Sequence, residues 1–191
     1  VSMIKLIEGI ALKDLENLVW MDLEFTGLED DHVIIELACL ITDKHLNIIA
    51  EGPHLVIQRT EGELANIDDW PLKVHTKSGL LEKVKTSDIS IQDADQQLVN
   101  FISEWTIEHK AILCGNSIHM DRKYIHKEMP LLDAFLHYRM IDVSSFKEVI
   151  KRWYKEYEYA PKKQNTHEAL ADIKESIKEL QWYRDTFFKV F

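Results

Sequence analysis

Two carboxylates, Asp22 and Glu24, stand one residue apart in the run LVWMDLEFTGL at residues 18–28. Their neighbours Trp20, Met21, Leu23 and Phe25 give the run the character of a buried strand. Side chains two apart on a strand share a face, so the acids lie side by side. Withdrawing two like charges from water without compensation costs several kcal/mol, roughly, and a cation is expected beside them. A solvent-facing edge is the plainer alternative, but the apolar neighbours leave little from which to build a wet face. Asp121 in GNSIHMD and Asp172 in HEALAD fall near helix starts, and either alone reads as an ordinary surface group. Gathered with Asp22 and Glu24 they would form a set of hard oxygen donors suited to Mg²⁺ or Mn²⁺. His167 lies five residues before Asp172. Positions five apart on a helix are separated by about 140°. His167 is therefore placed at the irregular start of its helix, either leaning toward the metals or exposed with no particular partner.

The elements that must position these groups follow from periodicity. β-rich runs at residues 18–25, 33–42 and 46–57 are joined by TGLEDDH and DKH, connections short enough for an antiparallel meander. EGP at residues 51–53 marks a bulge or bend in the third run. Trp70 falls in a stretch read as a polar loop. Ser90 is placed as the cap of a helix whose apolar stripe is Ile91, Ala94, Leu98, Ile102 and Trp105. AILCGN at residues 111–116 reads as a buried strand beside the first, followed by a helix at 117–129, a strand at 136–142 and a helix at 143–157. The last helix starts from a Thr166 cap and carries Leu170, Ile173, Ile177, Leu180 and Phe187 on one stripe. APKKQN at residues 160–165 is the most loop-like segment. The order βββαβαβα predicts an α/β sandwich with a mixed sheet, the first strand central. Asp121 then follows the carboxyl end of the neighbouring strand, where open α/β sheets bind ligands.

Length and composition narrow the class. A chain of 191 residues, 46% hydrophobic with five Trp, fits one ordered domain. Residues 1–17 read as an N-terminal extension, without secretory or Arg-rich transit features, and 18–191 as the domain. No run of about 18 apolar residues is available to span a membrane. Cys39 and Cys114 lie in apolar runs and read as reduced, buried thiols rather than a disulfide. A net charge of −10 with no basic stripe argues against a grip on long nucleic acid, duplex included. A nucleic-acid ligand would be short, or held by metal ions and a few placed groups.

DLEFTGL, GNSIHMD and HEALAD, in that order, resemble the motifs of the DEDDh 3′–5′ exonucleases, whose fold is ribonuclease H-like. IIAEGP, DDW, HTKSGL, CGNS, HYRMIDVS and SIKELQWYR narrow the resemblance to the oligoribonucleases, from about Leu18 to the C-terminus. The resemblance implies a mixed five-stranded sheet flanked by helices. It implies two divalent ions, Mg²⁺ or Mn²⁺, held by Asp22, Glu24, Asp121 and Asp172, with His167 as general base. The family often has two adjacent Asp where this chain has Ala171 and Asp172, and the spacing from His167 gives the ligand role to Asp172. By the same resemblance Leu28 wedges against the bases and Trp70 and His75 lie near the 3′ nucleotide, although Trp70 alone could equally be a lid packed on the core. Ser117, Ser144 and Arg139 resemble a cap for the 5′ phosphate, and His137, Tyr138 and Arg139 would reach the neighbouring subunit's site in a homodimer. The implied substrates are very short RNAs, dinucleotides above all, with no membrane partner. The implied compartment is the cytoplasm, or the mitochondrion if a targeting segment precedes this sequence. A broader DEDDh exonuclease and a non-catalytic ribonuclease H-like binding module are the competing readings.

Overall fold

The computed structural model describes residues 13–160 and 168–188. Thr166, His167 and most of APKKQN lie outside the described residues, as do the first twelve positions. The sheet has five strands, β1 (Leu18–Phe25), β2 (Ile34–Thr42), β3 (Ile48–Val56), β4 (Ala111–Gly115) and β5 (Leu136–Asp142), in the order β3-β2-β1-β4-β5. β1, β2 and β3 form the antiparallel meander, whereas β4 pairs parallel to β1 and β5 parallel to β4. The sheet is mixed, and β1 is its central strand. Ala38 faces His54 while Leu40 faces Glu51, so β3 carries one extra residue at the EGP segment, a β-bulge.

Both faces of β1 are covered, by different layers. Val19, Met21 and Leu23 pack with Ala94, Leu98 and Ile102 of α4 (Ile91–Trp105) and with Tyr124 and Ile125 of α5 (Ile118–Glu128). Trp20 packs on the other side with Val143 and Ile150 of α7 (Val143–Trp153) and with Ile173, Ile177 and Tyr183 of α8 (Ala169–Phe187). The two-residue period therefore aims Asp22 and Glu24 at the α8 side, in line with Trp20. Every residue of β2 is buried, as expected of a strand with neighbours on both edges and helices on both faces. Cys39 and Cys114 are free, buried thiols, and burial pushes the pKa of both upward.

The segment read as loop around Trp70 is helical. Trp70 stands on α2 (Asp69–Ser78), between α1 (Glu61–Leu64) and α3 (Leu80–Thr86). The stretch is polar and its helices are short, so the apolar period is weak. The end signals were nevertheless present: Pro71 in the first turn, and Gly79 in left-handed backbone (φ 76°) just past the end. Another short helix, α6 (Pro130–Phe135), starts on Pro130, with Asp95 of α4 accepting hydrogen bonds from Leu131 N and Leu132 N. α7 stops at Trp153, earlier than its apolar pattern predicts, and a 3₁₀ turn over Lys155–Tyr159 follows. Ser90 caps α4 in a capping box with Asp93. No described helix is long and apolar enough to cross a membrane.

At the end of β4, a Cβ on Gly115 would lie 2.9 Å from the carbonyl oxygen of Met21 and 2.8 Å from Ile118 Cδ1. Since Met21 precedes Asp22, the packing of β4 on β1 sets the position of that acid. Gly115→Ala is expected to destabilise the fold by about 1–3 kcal/mol, read by urea denaturation, because one contact is with backbone that cannot rotate away.

Candidate active site

The acids meet where β1 outruns β4. The two strands pair only as far as Trp20 and Cys114, so the next residues of β1 face a gap in the sheet rather than a neighbouring strand. Asp121, in the first turn of α5, fills part of that gap: its Oδ1 accepts a hydrogen bond from Leu23 N at 3.0 Å. Asp172, in the first turn of α8, closes the site from the opposite layer. Asp22, Glu24 and Asp172 each offer a carboxylate oxygen, all within 4.8 Å of one another. Asp121 is buried beside this trio rather than within it.

The charges act on one another. Burial, then Asp22, then Glu36 and Asp172 push the pKa of Glu24 up to about 8. Glu36 is the cross-strand neighbour of Glu24 on β2, and His54 Nε2 lies 3.0 Å from its carboxylate. Burial and the charge of Asp22 likewise hold Asp121 well above the ordinary carboxylate range, against the opposing pull of the Leu23 N–H. Four hard oxygen donors, Glu24 and Asp121 among them raised in this way, suit a small divalent cation, which would relieve the repulsion that protons otherwise relieve. The residues present fit the metal chemistry expected of them.

Beside Glu24 opens a cavity of about 280 Å³, walled by Phe25, Leu28, Trp70, Pro71 and His75 among others. Leu28 and Trp70 are 58% and 60% exposed, an unusual position for large apolar side chains unless something packs on them. His75 is buried, with Nε2 3.7 Å from Glu24 Oε2 and 3.3 Å from the carbonyl of Phe25. Ser117, in left-handed backbone, and Ser144 meet at the ends of β4 and β5. Ser117 N donates to Ser144 Oγ at 3.0 Å and to Asp142 Oδ1 at 2.9 Å. Tyr138 and Arg139 are exposed on the edge strand β5, the Arg139 guanidinium 5.3 Å from the Tyr138 ring centre. His167 is outside the described residues.

Sequence reading missed the residues that hold the Leu28 turn. Tyr124 stacks on Phe25 at 4.2 Å, and its hydroxyl reaches the carbonyls of Gly27 and Glu29. Lys123 donates to the carbonyl of Leu28, and Lys127 to those of Asp30 and His32. The available signal was the spacing of Lys123, Tyr124 and Lys127, one polar stripe on the helix that carries Asp121.

A carboxylate-lined end of a mixed sheet, wrapped by helices on both faces, is a ribonuclease H-like nuclease domain. The model of the RNase_T exonuclease family matches residues 19–180. Solved structures share the fold at low identity. They include Exonuclease I of E. coli in complex with a dT13 oligonucleotide (TM-score 0.69, 12% identity, 88% of this chain) and Exonuclease I of Methylocaldum szegediense (TM-score 0.64, 14% identity, 91% of this chain). This chain spans 41% of each of those longer chains. Curated bacterial oligoribonucleases are similar over almost their whole length. That of Vibrio campbellii is 49% identical over 92% of this chain and 97% of its own. That of Shewanella loihica is 50% identical over 93% and 98%. The mitochondrial oligoribonuclease of Mus musculus is 49% identical over 91% of this chain and 74% of its own. The chain belongs to the oligoribonuclease family of exonucleases.

The raised pKa of Glu24 sets the sign of a stability test. Between its ordinary value of 4.5 and about 8, the metal-free folded state holds a proton that the unfolded chain has released. Stability contributed by this group is therefore present at low pH and lost as pH rises toward 8. Metal-free protein is expected to lose melting temperature between about pH 6 and pH 8, and Mn²⁺ or Mg²⁺ to restore more at the higher pH, where fewer protons compete. In Glu24→Gln both trends should flatten; thermal melts in chelator and in metal decide it.

Proposed function

We propose that this chain is a metal-dependent 3′–5′ exoribonuclease that releases 5′-mononucleotides from very short RNAs, with 5′-phosphorylated dinucleotides as the best substrates. The observation that carries the reading is the meeting of Asp22, Glu24 and Asp172 within 4.8 Å, beside an apolar slot bounded by Leu28 and Trp70. Membership of the oligoribonuclease family supports the substrate class.

Asp22, Glu24, Asp121 and Asp172 would hold two divalent cations, Mg²⁺ or Mn²⁺. When bound, such ions acidify a water and neutralise charge developing on the leaving 3′ oxygen. The chain's own groups do the rest. Leu28 and Trp70 receive the terminal base between them, and Trp70 can stack on it. His75, wedged beside Glu24, fixes that carboxylate against the wall of the slot. His167 accepts the proton of the attacking water at a ring nitrogen, the general-base role for which histidine is the commonest side chain near neutral pH.

At the other end Ser117, Ser144 and Arg139 hold the 5′ phosphate, the guanidinium offering paired donors to phosphate oxygens. Arg139 and Tyr138 lie on the sheet's open edge, where a second copy could take them up, and the reading includes a homodimer in which they serve the neighbouring site. A substrate gripped at its 5′ phosphate and its 3′ base cannot be long. The bacterial relatives favour action in the cytoplasm; the mouse relative's mitochondrial name keeps the organelle as the alternative.

Hydrolysis of a 5′-phosphorylated length series in Mg²⁺ tests the substrate: the dinucleotide should turn over fastest. A ten-mer cut equally well would favour a broader exonuclease instead. Asp22→Ala should abolish turnover with the fold retained, and His167→Ala should lower kcat by about 10²–10⁴-fold. Activity that survives thorough chelation contradicts the metal reading.

A further inference from the structure

Between Ser117 and the helix that carries Asp172 runs a continuous chain of polar contacts centred on Asn116, exposed at Ser117 and half-buried from Ser144 onward. Its direction is fixed by chemistry. Ser117 N donates to Ser144 Oγ at 3.0 Å, and the Ser144 hydroxyl donates to Asn116 Oδ1 at 3.1 Å. The Asn116 amide donates to Ser176 Oγ at 2.6 Å, and the Ser176 hydroxyl donates to the main-chain carbonyl of Asp172 at 2.9 Å. Glu179 removes the ambiguity of the amide: its carboxylate only accepts, so the nitrogen of Asn116 must face it, at 3.3 Å. Glu179 is itself buried and held by the Tyr183 hydroxyl at 2.6 Å, with Lys147 Nζ 3.5 Å away. Each link thus donates toward α8, and the last one ends on the residue whose side chain belongs to the acid cluster.

We propose that Asn116 is a positioning residue that couples occupation of the 5′-phosphate cap to the setting of Asp172. The inference rests on the reading of Ser117 and Ser144 as phosphate ligands. The Ser144 hydroxyl has one proton. If it is donated to a phosphate oxygen, Asn116 Oδ1 loses its donor, and the amide is free to shift its weight onto Ser176 and Glu179. That shift acts on the first turn of α8 without any contact between phosphate and metal site. The 5′ phosphate then raises kcat as well as affinity, and discrimination for phosphorylated dinucleotides is made partly in the chemical step.

The test compares a dinucleotide with and without its 5′ phosphate in wild type, Ser144→Ala, Ser176→Ala and the double variant. Ser176 touches neither phosphate nor base in this reading, and Ala removes little volume. In wild type the phosphate should raise kcat as well as lower KM. In Ser176→Ala the kcat advantage should shrink by about 3- to 10-fold, the worth of one hydrogen bond, with the KM advantage retained. The double variant should show no further loss in kcat beyond Ser144→Ala, as expected of residues acting through one relay. A second readout needs no turnover: the change in Mn²⁺ affinity produced by an uncleavable dinucleotide, read by calorimetry, should differ between the forms with and without a 5′ phosphate in wild type and not in Ser176→Ala.

A wild-type phosphate effect confined to KM, or a kcat advantage and Mn²⁺ response unchanged in a folded Ser176→Ala, overturns the relay and leaves the substrate assignment standing. No preference for the 5′ phosphate in wild type overturns the cap assignment, and the relay with it. Should Ser176→Ala melt far below wild type, the Asn116→Asp variant carries the test. It keeps the shape but sets a carboxylate against Glu179, and it should lose the same kcat advantage.

Discussion

The constraint on which this structure turns is electrostatic: acids from β1, α5 and α8 are held closer together than water would allow them to stay. Their repulsion is visible in Glu24, which burial and three neighbouring carboxylates push to a pKa of about 8. Such a cluster persists because β1 cannot move. It is paired to β2 along its whole length and packed on both faces, by Ala94, Leu98 and Ile102 on one side and by Ile173, Ile177 and Tyr183 on the other. Relaxation of the acids would cost the packing of both layers, and core packing of this kind is worth several kcal/mol, roughly, per large side chain displaced. A cation is the cheaper relief.

α5 carries the consequences outward. Its first turn supplies Asp121, which satisfies a main-chain donor of β1 that β4 is too short to reach. One turn on, Lys123, Tyr124 and Lys127 take the carbonyls of the turn that bears Leu28. At its end Glu128 accepts from Ile34 N and pairs with buried Arg59, which in turn donates to the carbonyl of Ile34. One helix therefore locks the depth of the acid cluster and the height of the wall that bears Leu28 to the same piece of sheet. The exposed apolar pair Leu28 and Trp70 can project into solvent without collapsing because the backbone beneath them is fixed on both sides.

Much of this was legible in the sequence, for physical reasons. The meander, the central place of β1 and the pairing of β1 with β4 follow from short connectors and unbroken apolar runs, signals that survive tertiary context. Asp22 and Glu24 could be placed on one face from strand periodicity alone, whereas Asp172 alone reads as a surface group and joins them only through the ordered motifs. The helices at residues 61–86 were not legible because they lie on the surface, where apolar period is diluted and only end signals such as Pro71 and Gly79 remain. Trp70 was misplaced with them. The roles of Asp121 and Asn116 depend on which main-chain and side-chain atoms face them across the fold, and no spacing rule encodes that. His167 was placed by helix geometry and by motif, and its position lies outside the described residues.

The acidity of the whole chain follows the same logic as the acidity of its site. A net charge of −10 raises the local concentration of divalent cations and lowers that of polyanions. Before the acids are neutralised, an RNA phosphate approaching Asp22 and Glu24 meets like charge in a partly dry pocket, where repulsion is strong. Divalent cations held by these acids would convert the pocket from one that repels phosphate to one that holds it. The longer the RNA, the more of its phosphates would lie over unneutralised acidic surface, so the electrostatic cost of binding grows with length. An acidic surface around the pocket is in this sense a length filter, acting in the same direction as the preference for short RNA.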